Sequence, residues 1–257
     1  MIITDSFVFL NYPKTGSTFV REALSELYKK KQKKRWPWSR NKRYFEMYEA
    51  PNLRDVSPER SGKPYPHGTY WQIPQRAKHL PVYTVFREPI RRAISQYYYA
   101  DWKRKEGLLA HTKLIKSQFA NFPELQLEEY LAFLRIFYPR DLTIGGVKYG
   151  PWATDFVHFF LRDRDVANKK NLQFNNIDEV RDKMGTVKFI NNSNLNIELA
   201  EILMIYGFTS RDISEIQAKE KSNVSAASMS QNLAEQRAIV TDAMQDDARL
   251  IHNLANI

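Results

Sequence analysis

"FVFLNYPKTGSTFVREAL", Phe7 to Leu24, is the stretch on which the rest of the chain is read. Phe7–Leu10 is an unbroken apolar run, the pattern of a short strand buried on both faces of a parallel sheet. Pro13 and Gly16 then break it, and Ser17 or Thr18 can cap a helix that continues through Phe19, Leu24 and Leu27. Strand, tight loop and helix start together outline a phosphate cradle. Gly16 lets backbone approach an anion closely, and the first amides of the helix have no intrahelical partners. The Thr15, Ser17 and Thr18 hydroxyls can donate, and Lys14 brings a full positive charge to where a leaving phosphate develops negative charge. The nucleotide-hydrolase loop G-x-x-x-x-G-K-[ST] has its lysine late. Here the lysine comes first, which disfavours an ATP or GTP hydrolase.

A second element, "VFREPIRRAISQYYYA" (Val85–Ala100), closes the β-branched and aromatic strand Val82–Phe86 and starts a helix at Pro89. Arg87 lies just past the strand's carboxyl end, where open α/β sheets bind ligands. Ser95 follows two helical turns later. A forked guanidinium and a hydroxyl so placed can share one phosphate. Arg91 and Arg92 read as surface or helix-packing residues, and Tyr97–Tyr99 as core or acceptor-groove residues. Further along, Thr186–Ile190 reads as a strand and Gly145–Trp152 as a loop. Helices are expected over 125–137, 152–161, 196–208 and 229–256. Strands alternating with helices predict a three-layer α/β architecture. No linker or repeat divides the chain, so residues 1–257 are read as one domain.

Composition bounds the function. The 257 residues are 43% hydrophobic, enough for a sizeable core, and carry a formal charge of +10. That excess suits an anionic ligand, nucleic acid or a membrane surface without choosing among them. Cysteine is absent, which excludes a disulfide framework, a thiolate metal site and a cysteine nucleophile. No metal-ligand cluster stands out. No run reaches the length of a membrane span, and no charged segment followed by a long apolar run opens the chain, so a cytoplasmic location is expected. The basic run "KKKQKKRWPWSRNKR" (Lys29–Arg43) is a solvated helix end and loop, or a rim for an anionic partner. Residues 50–76 are rich in proline, glycine, tyrosine and serine, the composition of a binding loop or lid.

Taken as a pair, "YPKTGST" and "VFREPIRRAISQYYY" resemble the sulfotransferases that use 3′-phosphoadenosine 5′-phosphosulfate (PAPS). The nearest flavour is that of the carbohydrate enzymes of the heparan sulfate 2-O-sulfotransferase type. "FINNSNLNIELAEILMIYGF" (Phe189–Phe208) and "KEKSNVS" (Lys219–Ser225) also look like the tail of that group. The resemblance implies a P-loop-like α/β fold around a central parallel sheet flanked by helices. It implies that Lys14 contacts the sulfate and leaving phosphate, that Thr15, Gly16, Ser17 and Thr18 hold the 5′-phosphate, and that Arg87 and Ser95 hold the 3′-phosphate. Lys221, or equally Lys219, would close over the donor.

Transfer to a hydroxyl needs a proton acceptor. The chain has five histidines: His67, His79, His111, His158 and His252. By the same resemblance His67, in "YPHGTYW" before the second strand, is the base; Glu46 and Glu49 are the rival carboxylates. The expected acceptor is a small molecule or a glycan, acidic glycans included, and the region 35–76 its expected contact surface. No nucleic-acid partner is expected. Two rival readings remain at this stage: a P-loop small-molecule kinase, and a non-catalytic polyanion or nucleic-acid binder built on Lys29–Arg43.

Overall fold

The computed structural model describes residues 1–33, 44–51, 63–104, 112–138, 140–218 and 232–256. Its strands are β1 (Ile2–Thr4), β2 (Val8–Leu10), β3 (Phe45–Met47), β4 (Ala50–Pro51), β5 (Pro64–Tyr65), β6 (Val82–Phe86), β7 (Asp141–Ile144), β8 (Val147–Tyr149), β9 (Asn171–Phe174) and β10 (Lys188–Asn191). The central sheet has the order β10-β6-β2-β1-β3. β10, β6 and β2 run parallel, whereas β1 is antiparallel to both β2 and β3. The sheet is therefore mixed rather than wholly parallel as expected. The reason is local. Only Asp5–Phe7 separate β1 from β2, and a parallel pair needs a crossover of about a dozen residues. Thr4 fixes the reversal, its Oγ1 accepting from the amides of Ser6 and Phe7 and donating to the Phe7 carbonyl.

Side-chain alternation then sorts the sheet's residues into two apolar clusters. Ile2, Phe9, Tyr83, Val85 and Ile190 face one side, which is covered by helix α1 (Ser17–Lys33) through Phe19, Val20, Leu24 and Leu27 and by the helix Leu195–Ile205. Ile3, Val8, Leu10, Val82 and Phe86 face the other, with helix α2 (Pro89–Tyr99), the helix Pro151–Phe160 and the helix Leu233–Ala255 packed there. The expected C-terminal helix over 229–256 is described from Leu233 to Ala255; of the residues at core spacing Val240, Met244, Ile251 and Leu254 are buried, whereas Leu233 is half-buried.

Two placements matter for the site. Pro89 opens α2 and Glu88 caps it, accepting from the amides of Ile90 and Arg91, which fixes the helix directly after Arg87. The helix Pro151–Phe160 is buried at every residue, and its start is held by Asp247, which accepts from the amides of Gly150, Trp152 and Ala153. The stretch read as a loop at 145–152 instead contains β8, which forms a hairpin with β7 through Gly145 and Gly146 at φ +56° and +81°. A three-residue strand is too short to show alternation. No helix among the described residues is long and apolar enough to cross a membrane.

Candidate functional site

β2 and β6 are neighbours in parallel register, with Leu10 beside Thr84, and Thr84 Oγ1 donates to the Leu10 carbonyl at 2.8 Å. Their carboxyl ends therefore emerge together. The loop 11–16 leaves one and Arg87 leaves the other, so the two sequence motifs meet at one edge of the sheet.

The loop is held by its carbonyl oxygens. Arg92 Nε donates to the Pro13 carbonyl at 3.1 Å, Arg87 Nη1 to that of Lys14 at 3.2 Å, and Asn192 Nδ2 to that of Thr15 at 2.6 Å. In a planar trans peptide the next residue's N–H points opposite to the carbonyl. Tying three successive carbonyls to flanking side chains turns the amides of Lys14, Thr15 and Gly16 the other way. Lys14 and Gly16 have φ of +64° and +105°, the left-handed turns that gather successive amides into an anion-binding concavity. For Lys14 that conformation costs about 1–2 kcal/mol, strain of the kind that concentrates at functional sites. Gly16 admits no side chain, since a Cβ there would lie 2.6 Å from Asn192 Nδ2.

Thr15 is fully buried, and its hydroxyl donates to the Tyr12 carbonyl at 2.7 Å, so its side chain shapes the loop. Ser17 is buried at the first turn of α1, and Thr18 is half-buried. The Lys14 ammonium rests 3.3 Å from the centroid of the exposed Tyr99 ring, the last residue of α2. Tyr97 stacks on Trp102 instead. The tyrosine run thus divides between core packing and the loop lysine.

Arg87 is largely buried. Burial first, and then the nearby guanidinium groups of Arg91 and Arg92, push it below the usual arginine range against the opposing pull of Glu88. Arginine nevertheless stays charged, so a cation is held in unfavourable surroundings that an anion would relieve. Its Nε is buried and has no hydrogen-bond partner among the described residues. It borders a cavity of about 10 Å³ with Tyr12, Arg92 and Trp152, and the Trp152 Nε1 is also buried without a partner among the described residues. Arg92 is 4% exposed and is more than a packing residue. It pairs with Asp155 at 2.6 Å, lies 4.1 Å above the Tyr12 ring and holds the loop. Tyr12 and Tyr138 both donate to Asp155. Ser95 is buried one turn beyond Arg92 on α2.

On the opposite flank of the loop stands His67. Its Nδ1 lies 2.5 Å from the Asn11 carbonyl, which can only accept, so Nδ1 carries the proton and the lone pair is on Nε2. The neighbouring Pro66 carbonyl accepts from Asn11 Nδ2 at 3.0 Å, and the Tyr65 ring packs 4.8 Å from the imidazole. Gly68 is required here, because a Cβ would meet the Met1 and Ala50 side chains. Of the rival carboxylates, Glu46 is engaged by Arg76 at 2.6 Å and by Tyr44. Desolvation favours its protonation, but those hydrogen bonds outweigh it and hold the carboxyl below its ordinary range. That makes it a weak base. Glu49 is exposed beside a pocket that also reaches Asn11 and Pro66.

His79 is exposed, His158 is buried in the helix Pro151–Phe160, and His252 packs on Phe86. His111, Lys219, Lys221 and residues 34–43 of the basic run lie outside the described residues. Among the described residues no group of three or more His, Cys, Asp or Glu is placed to hold a metal. Sequence reasoning missed Arg92, Asp155 and Asn192. The helical spacing Glu88–Arg92–Ser95 carried a signal for the first, while the other two are distant in sequence and carried none. Comparisons of the chain with protein-family models, curated proteins and solved structures returned no match.

Proposed function

We propose that this chain is a PAPS-dependent sulfotransferase that moves a sulfuryl group to an acceptor hydroxyl, on a P-loop-like three-layer scaffold. The helices over both faces of the sheet support the scaffold reading. The observation that carries the function is the joining of the two motifs. Arg87 and Arg92 of the second hold the carbonyls of the first, turning its amides toward one concavity, and Arg87 Nε is left as a buried donor. A nucleotide with phosphates at both its 5′ and 3′ positions fits those donors.

In this reading the loop amides and the Ser17 and Thr18 hydroxyls hold the 5′-phosphate, and Arg87 with Ser95 holds the 3′-phosphate. The bound donor supplies a sulfuryl group on a phosphate leaving group. The rest is done by the chain. His67 Nε2 takes the acceptor hydroxyl's proton, Lys14 offsets the negative charge that grows on the departing oxygens, and the rigid loop holds both partners in line.

Calorimetry with 3′-phosphoadenosine 5′-phosphate tests this. The wild type is expected to bind it and to bind 5′-AMP far more weakly. Arg87→Ala should lose about 10- to 100-fold in affinity, the scale of charge-assisted hydrogen bonds. Equal binding of the two nucleotides would overturn the proposal. His67→Ala should lower turnover by about 10²–10⁴-fold with nucleotide affinity retained, and should remove the acid limb of the pH–rate profile. Full activity of that variant across pH would transfer the base role to Glu49.

A further inference from the structure

A second cavity, of about 180 Å³, opens beside Asn11, the first residue of the loop. It lies between the first turns of α1 and the β1–β3 side of the sheet, and Asn11, Arg21, Tyr48, Glu49 and Pro66 line it. Two links tie it to the proposed transfer site. Asn11 and Pro66 are the residues that hold His67's surroundings, and Arg21 lies on α1 one turn after Ser17.

The chemistry of the lining points to one class of occupant. Asn11 is 2% exposed, and its Oδ1 is buried with no hydrogen-bond partner among the described residues. The amide cannot be turned over to relieve this, because Nδ2 is committed to the Pro66 carbonyl. An orphaned acceptor of this kind asks for a donor. Glu49 is a second acceptor, and Arg21 is a donor of opposite charge. Arg21 and Glu49 offset each other, and burial lowers the amine pKa of Met1, which also borders the pocket, to about 5, so a carboxylate attracted by Arg21 would be repelled by Glu49. The volume is below the roughly 300 Å³ at which pockets for drug-sized ligands begin, too small for a nucleotide.

We infer that this pocket is the acceptor subsite and that it takes one neutral, polyhydroxylated ring, such as an uncharged sugar residue, whose hydroxyls donate to Asn11 Oδ1 and Glu49. The assignment of this ring as acceptor rests on the sulfotransferase reading; the binding itself does not. It narrows the broad glycan expectation, since uronates are disfavoured at this subsite.

The test is saturation-transfer NMR on the full chain with a panel of methyl glycosides (gluco, galacto and manno) and methyl glucuronide, with nucleotide affinity measured on the same samples. At least one neutral glycoside is expected to bind, more tightly than the glucuronide. Glu49→Gln, an isosteric change at an exposed residue, should weaken it about tenfold. Binding of none of the neutral glycosides, preference for the glucuronide, or an unchanged affinity in Glu49→Gln would each overturn the inference. If the sugar result fails while 3′-phosphoadenosine 5′-phosphate binds, the subsite alone falls. If the sugar binds and depends on Glu49 while the nucleotide does not bind, the pocket stands and the transfer reading falls.

Discussion

Lys14→Met is expected to lower sulfuryl transfer by about 10²–10³-fold, the scale set by losing one donor aimed at developing charge. Methionine keeps an unbranched apolar stem, one atom shorter, and removes the charge with its N–H donors. The Lys14 contact with Tyr99 is at the surface, so its loss should cost only about 0.5–1 kcal/mol of stability. The loop carbonyls are held by other residues, so affinity for 3′-phosphoadenosine 5′-phosphate should fall much less than turnover. Lys14→Arg should not restore the rate, because a broad planar fork does not reproduce a compact ammonium at one oxygen. Steady-state transfer, calorimetry and thermal unfolding on the same variants check this. A variant that keeps most of its turnover would remove Lys14 from the chemistry.

Arg92→Met carries the largest expected effect on stability. It takes the guanidinium from the Asp155 carboxylate, itself 7% exposed, to which the Tyr12 and Tyr138 hydroxyls also donate. Removing one member of a buried ion pair costs about 3–5 kcal/mol. It also leaves the Pro13 carbonyl without its guanidinium donor. The paired variant Arg92→Met with Asp155→Leu separates the two consequences. Replacing both charges by apolar groups should recover most of the stability. Nucleotide affinity should stay low, because nothing then draws the Pro13 carbonyl aside. Urea unfolding midpoints and calorimetry give the two readings, and wild-type affinity in the double variant would reduce Arg92 to a purely structural residue.

Much of the parallel half of the sheet was legible in the sequence. Val8–Leu10 is apolar without interruption and Val82–Phe86 is β-branched and aromatic throughout, with both faces covered, and runs of that kind are visible without context. β1 was not, since Ile2–Thr4 is three residues long and its direction is set by the Thr4 turn. Within the site, Lys14, Gly16 and Arg87 were readable because charge, conformational freedom and position after a strand are local properties. Asn192 and Asp155 were not. Each acts through a contact more than 60 residues away in sequence, and an isolated asparagine or aspartate announces no partner. Arg92 sits between these cases: its helical position was readable, but its burial and its hold on Pro13 depend on Asp155.

The three tied carbonyls of Pro13, Lys14 and Thr15 bear on how the loop behaves over time. Their donors come from α2, from the end of β6 and from the residue after β10, so the segment cannot open without detaching from several elements at once. The ties should therefore release together, with unfolding of the sheet as a unit rather than by local fraying, although they shield the carbonyls and not the amides turned into the concavity. A concavity already set in the unliganded chain leaves little ordering for the ligand to impose. Bound phosphate would protect these amides by accepting from them, and its association would proceed without waiting for the loop to form.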